Sequence, residues 1–285
     1  MSNMTLIDSH VHLWDTAKLN YPWLADIPAI DGPHLPADYR DASRGYDVDK
    51  LVFVQCDVAT SQSRDEVRWV SELAETDDQR IAGVVAWAPV ASGAAVTPEL
   101  DWLATMPLVR GVRQLIQPEA DDGFCATPDF VRGVQLVGQA GLSFELCIKG
   151  DGQFASMLTL VERCPDVRFV LDHIGKPFIA EGIIEPWAGY ISKLAQAPNV
   201  FCKLSGVSTE AEWESWSTDS LQPYTDVVLE TFGFDRVMFG GDWPVVNLSS
   251  SWSGWVEPLE ELVSGFGEDE RRRLFFDNAA AFYRL

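Results

Sequence analysis

The sequence predicts an α/β protein, a single (β/α)8 TIM barrel spanning residues 1–285. Three observations support this fold class: the length of 285 residues, the recurrence of short apolar β-branched runs, and the amphipathic stretches between those runs. One such barrel typically has roughly 250 residues, and alternating strands and helices are typical of a parallel sheet. No repeat, low-complexity tract or change of composition marks a domain boundary. One domain is therefore the simpler interpretation.

The apolar runs are the predicted strands of the barrel. Each is short, rich in β-branched residues and followed by a longer polar or amphipathic stretch, as parallel strands buried on both faces require. An open doubly wound sheet would rarely need so many strands. The predicted strands are residues 4–12, 51–57, 81–88, 109–116, 142–148, 167–173, 200–204 and 236–242.

The stretches between the runs include recognisable helices. Residues 63–75 and 129–139 place their apolar side chains on one stripe, and a helical tail is expected near residues 268–285. Residues 14–42 are different, since they are rich in proline and aromatic residues and show no period. This segment is too long for a simple connection between a strand and a helix. We expect it to be a long loop over the C-terminal mouth of the barrel.

Composition limits the classes of partner. With 21 basic and 43 acidic residues the formal net charge is −22, which repels phosphate backbones and anionic lipids. We therefore expect a small-molecule substrate rather than nucleic acid or membrane, and a homo-oligomer is compatible with the sequence. The N-terminal residues lack the features of a signal peptide, which predicts a cytoplasmic protein. The cysteines show no ligand spacing and are expected to be reduced and mostly buried; they are Cys56, Cys125, Cys147, Cys164 and Cys202.

Histidines cluster at the ends of predicted strands. The chain has four histidines, and two of them, His10 and His12, end the first run. Alternate residues of a strand point to the same face, so both imidazoles are expected to project together into the barrel mouth. His173 ends the sixth run and Asp242 ends the eighth. Barrel active sites lie at the carboxyl ends of strands, so the sequence predicts that these four groups share one site.

Five segments resemble a known family. They are IDSHVHLWD (7–15), GVRQLIQ (111–117), FVLDHIGKP (169–177), CKLSG (202–206) and VMFGGDWPV (237–245). Together they are similar to the lactonase branch of the amidohydrolase superfamily, whose members have a (β/α)8 barrel of the metal-dependent-hydrolase type. That branch includes L-fuconolactonase, L-rhamnonolactonase, sulfomuconolactonase and 2-pyrone-4,6-dicarboxylate lactonase. The resemblance extends from residue 5 to residue 285 and does not specify a substrate.

The resemblance also implies roles for the four clustered residues. His10 and His12 match the first-strand pair, His173 the sixth-strand histidine, and Asp242 the eighth-strand acid and base. The fifth run has no histidine and the fourth has Arg113 where many relatives have a bridging lysine or glutamate, which disfavours a binuclear metal centre. Three histidines and one carboxylate would suit a single divalent metal, with Zn²⁺ preferred. Metal-independent catalysis stays open, since metal dependence in this branch is mixed.

The expected activity is that of a hydrolase acting on a carboxylic ester in carbohydrate metabolism. Asp242 would activate a water that attacks the carbonyl of a sugar (aldono-)lactone, and the three histidines would polarise that carbonyl. Three alternatives remain: a hydrolase of a dicarboxylate lactone, a metal-dependent decarboxylase of an aromatic or enol acid, and a sugar-binding barrel without catalysis. A dicarboxylate would need several arginines at the mouth, and Arg113 is the clear candidate in the sequence.

Further residues near the strand ends are candidates for substrate contact. Polar side chains at strand ends and aromatic rings beside the site residues are suited to a sugar ring. For Lys203, an internal ion pair with Glu145 or Asp172 is an equal alternative to substrate contact. Asp8 is expected below the site. His34 is expected to be a solvated loop residue. The candidates are Gln55, Arg113, Gln114, Lys203, Trp14, Trp23 and Trp243.

Overall fold

The predicted strands form a nearly closed ring. A computed structural model of the protein describes residues 4–285. Each strand pairs in parallel with the next strand along the chain, and a parallel bridge joins Val11 to Trp243 beyond the last strand. This order confirms the predicted (β/α)8 barrel. The strands are β1 Thr5–Val11, β2 Asp47–Val54, β3 Ile81–Ala86, β4 Val109–Val112, β5 Ser143–Leu146, β6 Phe169–Leu171, β7 Val200–Leu204 and β8 Val237–Phe239.

Several strands end earlier than predicted. β6 ends at Leu171 and β8 at Phe239, so His173 and Asp242 lie in the turns that follow these strands. His12 follows β1 directly. The apolar runs continue past the strands because the first residues of the following turns are also buried, as Ile174 and Trp243 show. Hydrophobic pattern alone therefore placed the strand ends too far along the chain.

Helices and short 3-10 turns connect the strands. The predicted helices at 63–75 and 129–139 correspond to helices at Ser63–Thr76 and Pro128–Gln139. A π-helical turn at Arg273–Asp277 interrupts the predicted tail. The helices are α1 Pro36–Ala42, α2 Ser63–Thr76, α3 Thr97–Leu103, α4 Pro128–Gln139, α5 Asp151–Arg163, α6 Trp187–Leu194, α7 Thr218–Phe232, α8 Trp252–Leu262, α9 Glu268–Arg272 and α10 Asn278–Tyr283.

The segment 14–42 is not wholly a loop. It contains 3-10 turns at Pro22–Asp26 and Pro28–Ile30, and its last seven residues form α1. Pro36 occupies the first turn of α1, where its missing N–H costs no hydrogen bond. The backbones of Trp14 and His34 pair as a short antiparallel bridge. Local turn chemistry therefore gives this segment a defined path although it has no hydrophobic period.

The inside of the barrel has an apolar lower layer. Ile7, Val54, Val170 and Met238 are fully buried there, and Tyr283 of α10 closes this layer from below. A larger apolar cluster fills the space between the strands and the surrounding helices. The lower end of the barrel is thus sealed by packing, which leaves the opposite mouth for chemistry.

Two further expectations concern the thiols and the membrane. All five cysteines are free, and all five are buried as expected. Among residues 4–285, no helix combines the length and apolar character needed to cross a bilayer.

Close helix packing generates a stability prediction. Gly133 lies inside α4, where an added Cβ would overlap the main-chain carbonyl of Val90. Gly133→Ala should therefore lower the free energy of unfolding by about 2 kcal/mol or more, since backbone cannot easily move aside. Gly189 in α6 is the matched control, because its added Cβ would meet only Glu185 Oε2 at 3.4 Å.

Gly189→Ala should be neutral or stabilise the protein by up to about 1 kcal/mol through higher helix propensity. Urea-induced unfolding followed by circular dichroism measures both variants. Equal stability of the two variants would contradict this account of α4 packing.

Candidate active site

Four predicted residues meet at the C-terminal mouth of the barrel. His10 Nε2 lies 3.1 Å from His12 Nε2 and 3.6 Å from Asp242 Oδ1, and His12 Nε2 lies 3.4 Å from the same oxygen. His173 Nδ1 lies 3.9 Å from Asp242 Oδ2. All four residues are at most 6% exposed. The three imidazoles therefore surround one buried carboxylate.

The backbone at the junction of β1 and β8 fixes this arrangement. The amide of Asp242 donates to the carbonyl of His10 at 2.8 Å, and the amide of His12 donates to the carbonyl of Trp243 at 2.7 Å. These two bonds close the barrel and hold the acid opposite the histidine pair. Asp242 itself has a φ of 52°, in the left-handed region that is costly for a residue with a side chain.

Glycines allow the surrounding chain to approach the cluster. A Cβ on Gly206, which has a φ of 58°, would lie 2.6 Å from His173 Nδ1 and 3.0 Å from Asp242 Oδ2. A Cβ on Gly240 would lie 2.8 Å from His10 Cβ. These glycines let the turns after β7 and β8 pack directly on the site, so the cluster is enclosed by backbone.

Hydrogen bonds constrain where the first-strand histidines carry their protons. His12 Nδ1 lies 2.8 Å from the carbonyl oxygen of Val54, which only accepts, so this nitrogen carries the proton and Nε2 presents a lone pair. His10 Nδ1 lies 3.2 Å from Lys203 Nζ and 3.5 Å from Asp172 Oδ1. An ammonium donor favours the proton on Nε2 of His10, whereas the carboxylate favours it on Nδ1.

A buried charge network lies below the histidines. Lys203 Nζ lies 2.7 Å from Glu145 Oε2 and 3.3 Å from Asp172 Oδ1, and Arg113 donates to Asp172 Oδ2 at 3.1 Å. Tyr283 donates to Glu145 at 2.5 Å. Two cations and two anions therefore balance inside the barrel, as buried charges require.

Burial and these charges set the pKa values of the site. Burial, helped by the Lys203 ammonium, lowers the pKa of His10 well below its ordinary value, and burial lowers the pKa of His173 to about 4. Burial acts to raise the pKa of Asp242, but the imidazoles of His173, His12 and His10 outweigh it. At neutral pH Asp242 is therefore ionised, while His10 and His173 are neutral.

Asp8 is separated from the site by a register irregularity in β1. The pairing with β2 shifts between Asp8 and Val11. As a result Asp8 accepts from Tyr39 of α1 at 2.9 Å and from Trp252 of α8 at 2.7 Å, outside the ring of strands. The sequence places Asp8 below the site, but strict alternation fails at the irregularity and its carboxylate does not share the orientation of His10. Asp8 also accepts from the amide of Gly241 at 2.7 Å, which anchors the turn before Asp242.

Two residues that the sequence predicted to contact substrate, Lys203 and Arg113, lie inside the barrel. Lys203 is fully buried, which favours the alternative of an internal ion pair with Glu145 and Asp172. Arg113 is 4% exposed and donates to Asp172 and to the carbonyl of Gln55. Lys203 Nζ and both terminal nitrogens of Arg113 are held by buried carboxylate and carbonyl oxygens, which favours a supporting role over substrate contact for these cations.

The two amide side chains predicted to contact substrate also form hydrogen bonds within the protein. Gln55 is fully buried and its Oε1 accepts from the amide of Asp57 at 2.6 Å, while its Nε2 has no hydrogen-bond partner. Gln114 is half-buried, and its Oε1 accepts from the amide of Ala91 at 3.0 Å. The acceptor oxygen of each amide thus organises a neighbouring loop, and the donor of Gln55 is uncommitted.

The aromatic residues differ in their access to the mouth. Trp14 is fully buried among Tyr21, Trp23 and His34, which favours packing over substrate contact for this residue. Trp243 is 2% exposed and packs edge-on against His34 and Tyr39. Trp23 is half-buried and donates to the carbonyl of Cys56 at 2.7 Å. His34 is half-buried between Trp14 and Trp243, rather than solvated as expected.

Sequence reasoning did not assign site roles to several polar residues near the site. Asp172 was considered only as a partner of Lys203, although it contacts Arg113 and His10 as well. Ser205 contacts His173 Nδ1 at 3.0 Å. Lys176 and Glu210 lie in the turns after β6 and β7. A signal for Asp172 was available, since alternation from the buried Val170 directs it into the barrel.

The donor set fits a single divalent metal ion. Ligands at about 2.05 Å around a tetrahedral Zn²⁺ lie roughly 3.3 Å apart, close to the separations of 3.1, 3.4 and 3.6 Å among His10 Nε2, His12 Nε2 and Asp242 Oδ1. Asp242 Oδ1 is buried and has no hydrogen-bond partner. Asp172 can accept the Nδ1 proton of His10, which orients Nε2 as a ligand.

Comparison with known proteins supports the resemblance. The L-fucono-1,5-lactonase of Burkholderia ambifaria is 31% identical over 98% of this chain and 95% of the relative. The L-rhamnono-gamma-lactonase of Scheffersomyces stipitis is 25% identical over the full length of both chains. A crystal structure of an amidohydrolase from Burkholderia multivorans with bound zinc has a TM-score of 0.88 and 31% identity, and covers 99% of this chain and 100% of that one.

A family model described as amidohydrolase matches residues 7–285. The match includes His10, His12, His173 and Asp242, together with all eight strands except the first residues of β1. The chain belongs to the amidohydrolase family.

Proposed function

We propose that the protein is a lactonase, a hydrolase that opens a sugar (aldono-)lactone to the corresponding acid. The observation that carries this proposal is the convergence of His10 Nε2, His12 Nε2 and the unpartnered Asp242 Oδ1 within 3.6 Å. Such a site combines an ionised base with groups that polarise a carbonyl. The lactonase names of the relatives support this reaction class.

Asp242 is the proposed general base. Its depressed pKa keeps it ionised at neutral pH, so it can take a proton from water at the mouth. The water oxygen then bonds to the lactone carbonyl carbon, the ring C–O bond breaks, and Asp242 returns the proton to the departing ring oxygen. Its two oxygens face different partners, since Oδ1 faces His10 and His12 whereas Oδ2 faces His173.

His173 is the proposed donor to the carbonyl oxygen. It contacts Ser205 through Nδ1, and its low pKa keeps the ring neutral. A neutral donor is appropriate beside an anionic base, because an imidazolium at this position would pair with Asp242 and weaken its basicity. Hydrogen bonds aimed at the developing oxyanion are usually the largest contribution to acyl-transfer catalysis.

One zinc ion is the proposed cofactor, held by His10, His12 and Asp242. A bound zinc ion in such a site lowers the pKa of water to about 7 and polarises a carbonyl oxygen. Such a metal would supply an acidified water beside the ionised Asp242 carboxylate. The bound zinc of the Burkholderia multivorans structure supports the choice of metal.

Replacement of the base should abolish turnover. Asp242→Asn preserves size but cannot accept the proton, so hydrolysis should fall by several orders of magnitude, since the general base is lost and a proposed metal ligand is weakened. A pH-indicator assay of acid release from L-fucono-, L-rhamnono-, D-galactono- and D-arabinono-lactones measures the effect. Asp235→Asn, at an aspartate whose side chain is 79% exposed, is the matched control.

Near-normal turnover of Asp242→Asn would show that Asp242 is not the general base. If the native protein hydrolyses none of the four lactones, a sugar lactone would be rejected as the substrate. In that case, acid release from a dicarboxylate lactone or carbon dioxide release from an aromatic carboxylate would identify the alternatives.

The pH profile should have its acidic limb near pH 4. His173 has a pKa of about 4, so it is neutral at higher pH and gains a proton only as the pH falls through this value. Its charge would then pair with Asp242, so kcat/KM should be level from pH 7 to about pH 5 and decline near pH 4. An acidic limb centred near pH 6.5, the value of an unperturbed histidine, would contradict this assignment.

Metal binding should depend on His12. Elemental analysis of protein dialysed against dilute zinc should give about one zinc ion per chain, and His12→Asn should lose it because one of three ligand atoms is gone. His34→Asn should retain the metal, since His34 packs between tryptophans away from the ligand atoms. Equal zinc content in both variants would exclude this ligand set.

A further inference from the structure

The turn after β6 is a left-handed helical turn. His173, Ile174, Gly175 and Lys176 all have positive φ values, of 53°, 50°, 75° and 52°. Residues with side chains rarely adopt this conformation, and consecutive ones cost roughly 1–2 kcal/mol each. Such strain persists only where the surroundings impose it, and it is concentrated at functional sites.

The surroundings of this turn impose its conformation. Ile174 is fully buried, and its carbonyl accepts from Trp187 Nε1 at 2.8 Å. Phe154 packs against Gly175 so closely that a Cβ on this glycine would overlap its ring. The amide of Lys176 donates to the carbonyl of His173 at 2.9 Å. Side chains three residues apart in such a tight turn lie on the same side, so Lys176 accompanies His173.

Lys176 is an incompletely paired cation at the mouth. Its side chain is 18% exposed, and its Nζ lies 3.9 Å from Glu210 Oε1, beyond hydrogen-bond distance. Lys149 lies 3.0 Å from the other oxygen of the same carboxylate. Lys149, Lys176 and Glu210 follow β5, β6 and β7, so two cations share one anion across three adjacent loops.

The charge of Lys176 also reaches the catalytic cluster. Burial is the main cause of the low pKa of His173, and the Lys176 ammonium adds to it. Burial raises the pKa of the Cys147 thiol, below the mouth, and Lys176 is the strongest influence acting against that shift. Lys176 therefore lies near His173. Within residues 4–285, no protein acceptor lies within hydrogen-bond distance of its Nζ.

We propose that Lys176 is a substrate-binding residue that holds the carbonyl end of the lactone and the carboxylate of the ring-opened acid. This inference rests on the proposed function. The substrate is neutral and the product is an anion, which forms beside the negative charge of Asp242. A cation with free donors next to His173 offsets this repulsion, and hydrogen bonds between ions are stronger than those between neutral groups.

The test compares Lys176→Met with Lys149→Met. Methionine keeps most of the unbranched side chain but removes the charge, and Lys149→Met neutralises the other cation of the same ion group. We expect Lys176→Met to raise KM for L-fucono-1,5-lactone about tenfold or more, with kcat changed less than threefold, and Lys176→Arg to restore most of the affinity. Lys149→Met, whose side chain is 49% exposed, should change KM less than threefold.

A binding measurement separates this proposal from the proposed function. Calorimetric titration of the native protein and of Lys176→Met uses sodium L-fuconate, the other three aldonates and the uncharged polyol L-fucitol. Lys176→Met should weaken binding of one aldonate about tenfold or more and leave L-fucitol binding unchanged. Thermal unfolding midpoints within a few degrees of the native protein verify that the turn after β6 persists in the variants.

Each outcome has a distinct meaning. Unchanged KM and aldonate affinity in Lys176→Met would overturn the inference while lactone hydrolysis still supports the proposed function. Equal effects of Lys149→Met and Lys176→Met, or a fall in kcat alone, would also overturn it, since they indicate a role through Glu210 or His173. If aldonate binding depends on Lys176 but no lactone is hydrolysed, the proposed lactonase function would be rejected and the proposed binding role of Lys176 would be retained. Absence of aldonate binding to the native protein would reject the inference.

Discussion

The buried ammonium of Lys203 is the interaction on which the site depends. It contacts Glu145, Asp172 and His10 inside the barrel, where an unpaired charge costs several kcal/mol. Arg113 supplies the second cation and completes a neutral set of four charges. The ring of His10 lies at the upper edge of this set. Its orientation toward Asp242 therefore follows from charge balance below the mouth as much as from its place on β1.

Backbone strain is the second constraint on the site. Both His173 and Asp242 have left-handed φ values, and both follow short strands whose ends are held by hydrogen bonds to neighbouring strands. Gly206 and Gly240 permit the close approach of the adjacent turns. The barrel closure at β1 and β8 therefore also holds Asp242 in position. Strain of this kind is stable because the rigid barrel around it has no easier arrangement.

The sequence predicts the architecture better than the contacts within it. Strand number and the pairing of His10 with His12 depend on hydrophobic runs and alternation, which are local properties and hold in the structure. Asp8 shows where alternation fails, since an irregularity in β1 turns it outward. His173 shows the opposite case, because alternation from Val170 would direct it away from the mouth and the left-handed turn brings it back.

The partners of Asp8 could not be predicted from local pattern, because Tyr39 and Trp252 come from distant helices that only the closed barrel brings together. The same closure divides the interior into layers with different capacities. The apolar layer around Tyr283 and the charged layer around Lys203 are both buried, and the charged groups of the second layer pair with one another, so a ligand has little access to them. At the mouth, Asp242 Oδ1 and Lys176 Nζ lack hydrogen-bond partners within the described residues. Uncommitted polar atoms mark where a ligand gains the most from binding, since committed ones would first have to give up a partner. The two lower layers therefore position the site, and the turns after β6 and β8 carry the polar atoms that remain uncommitted.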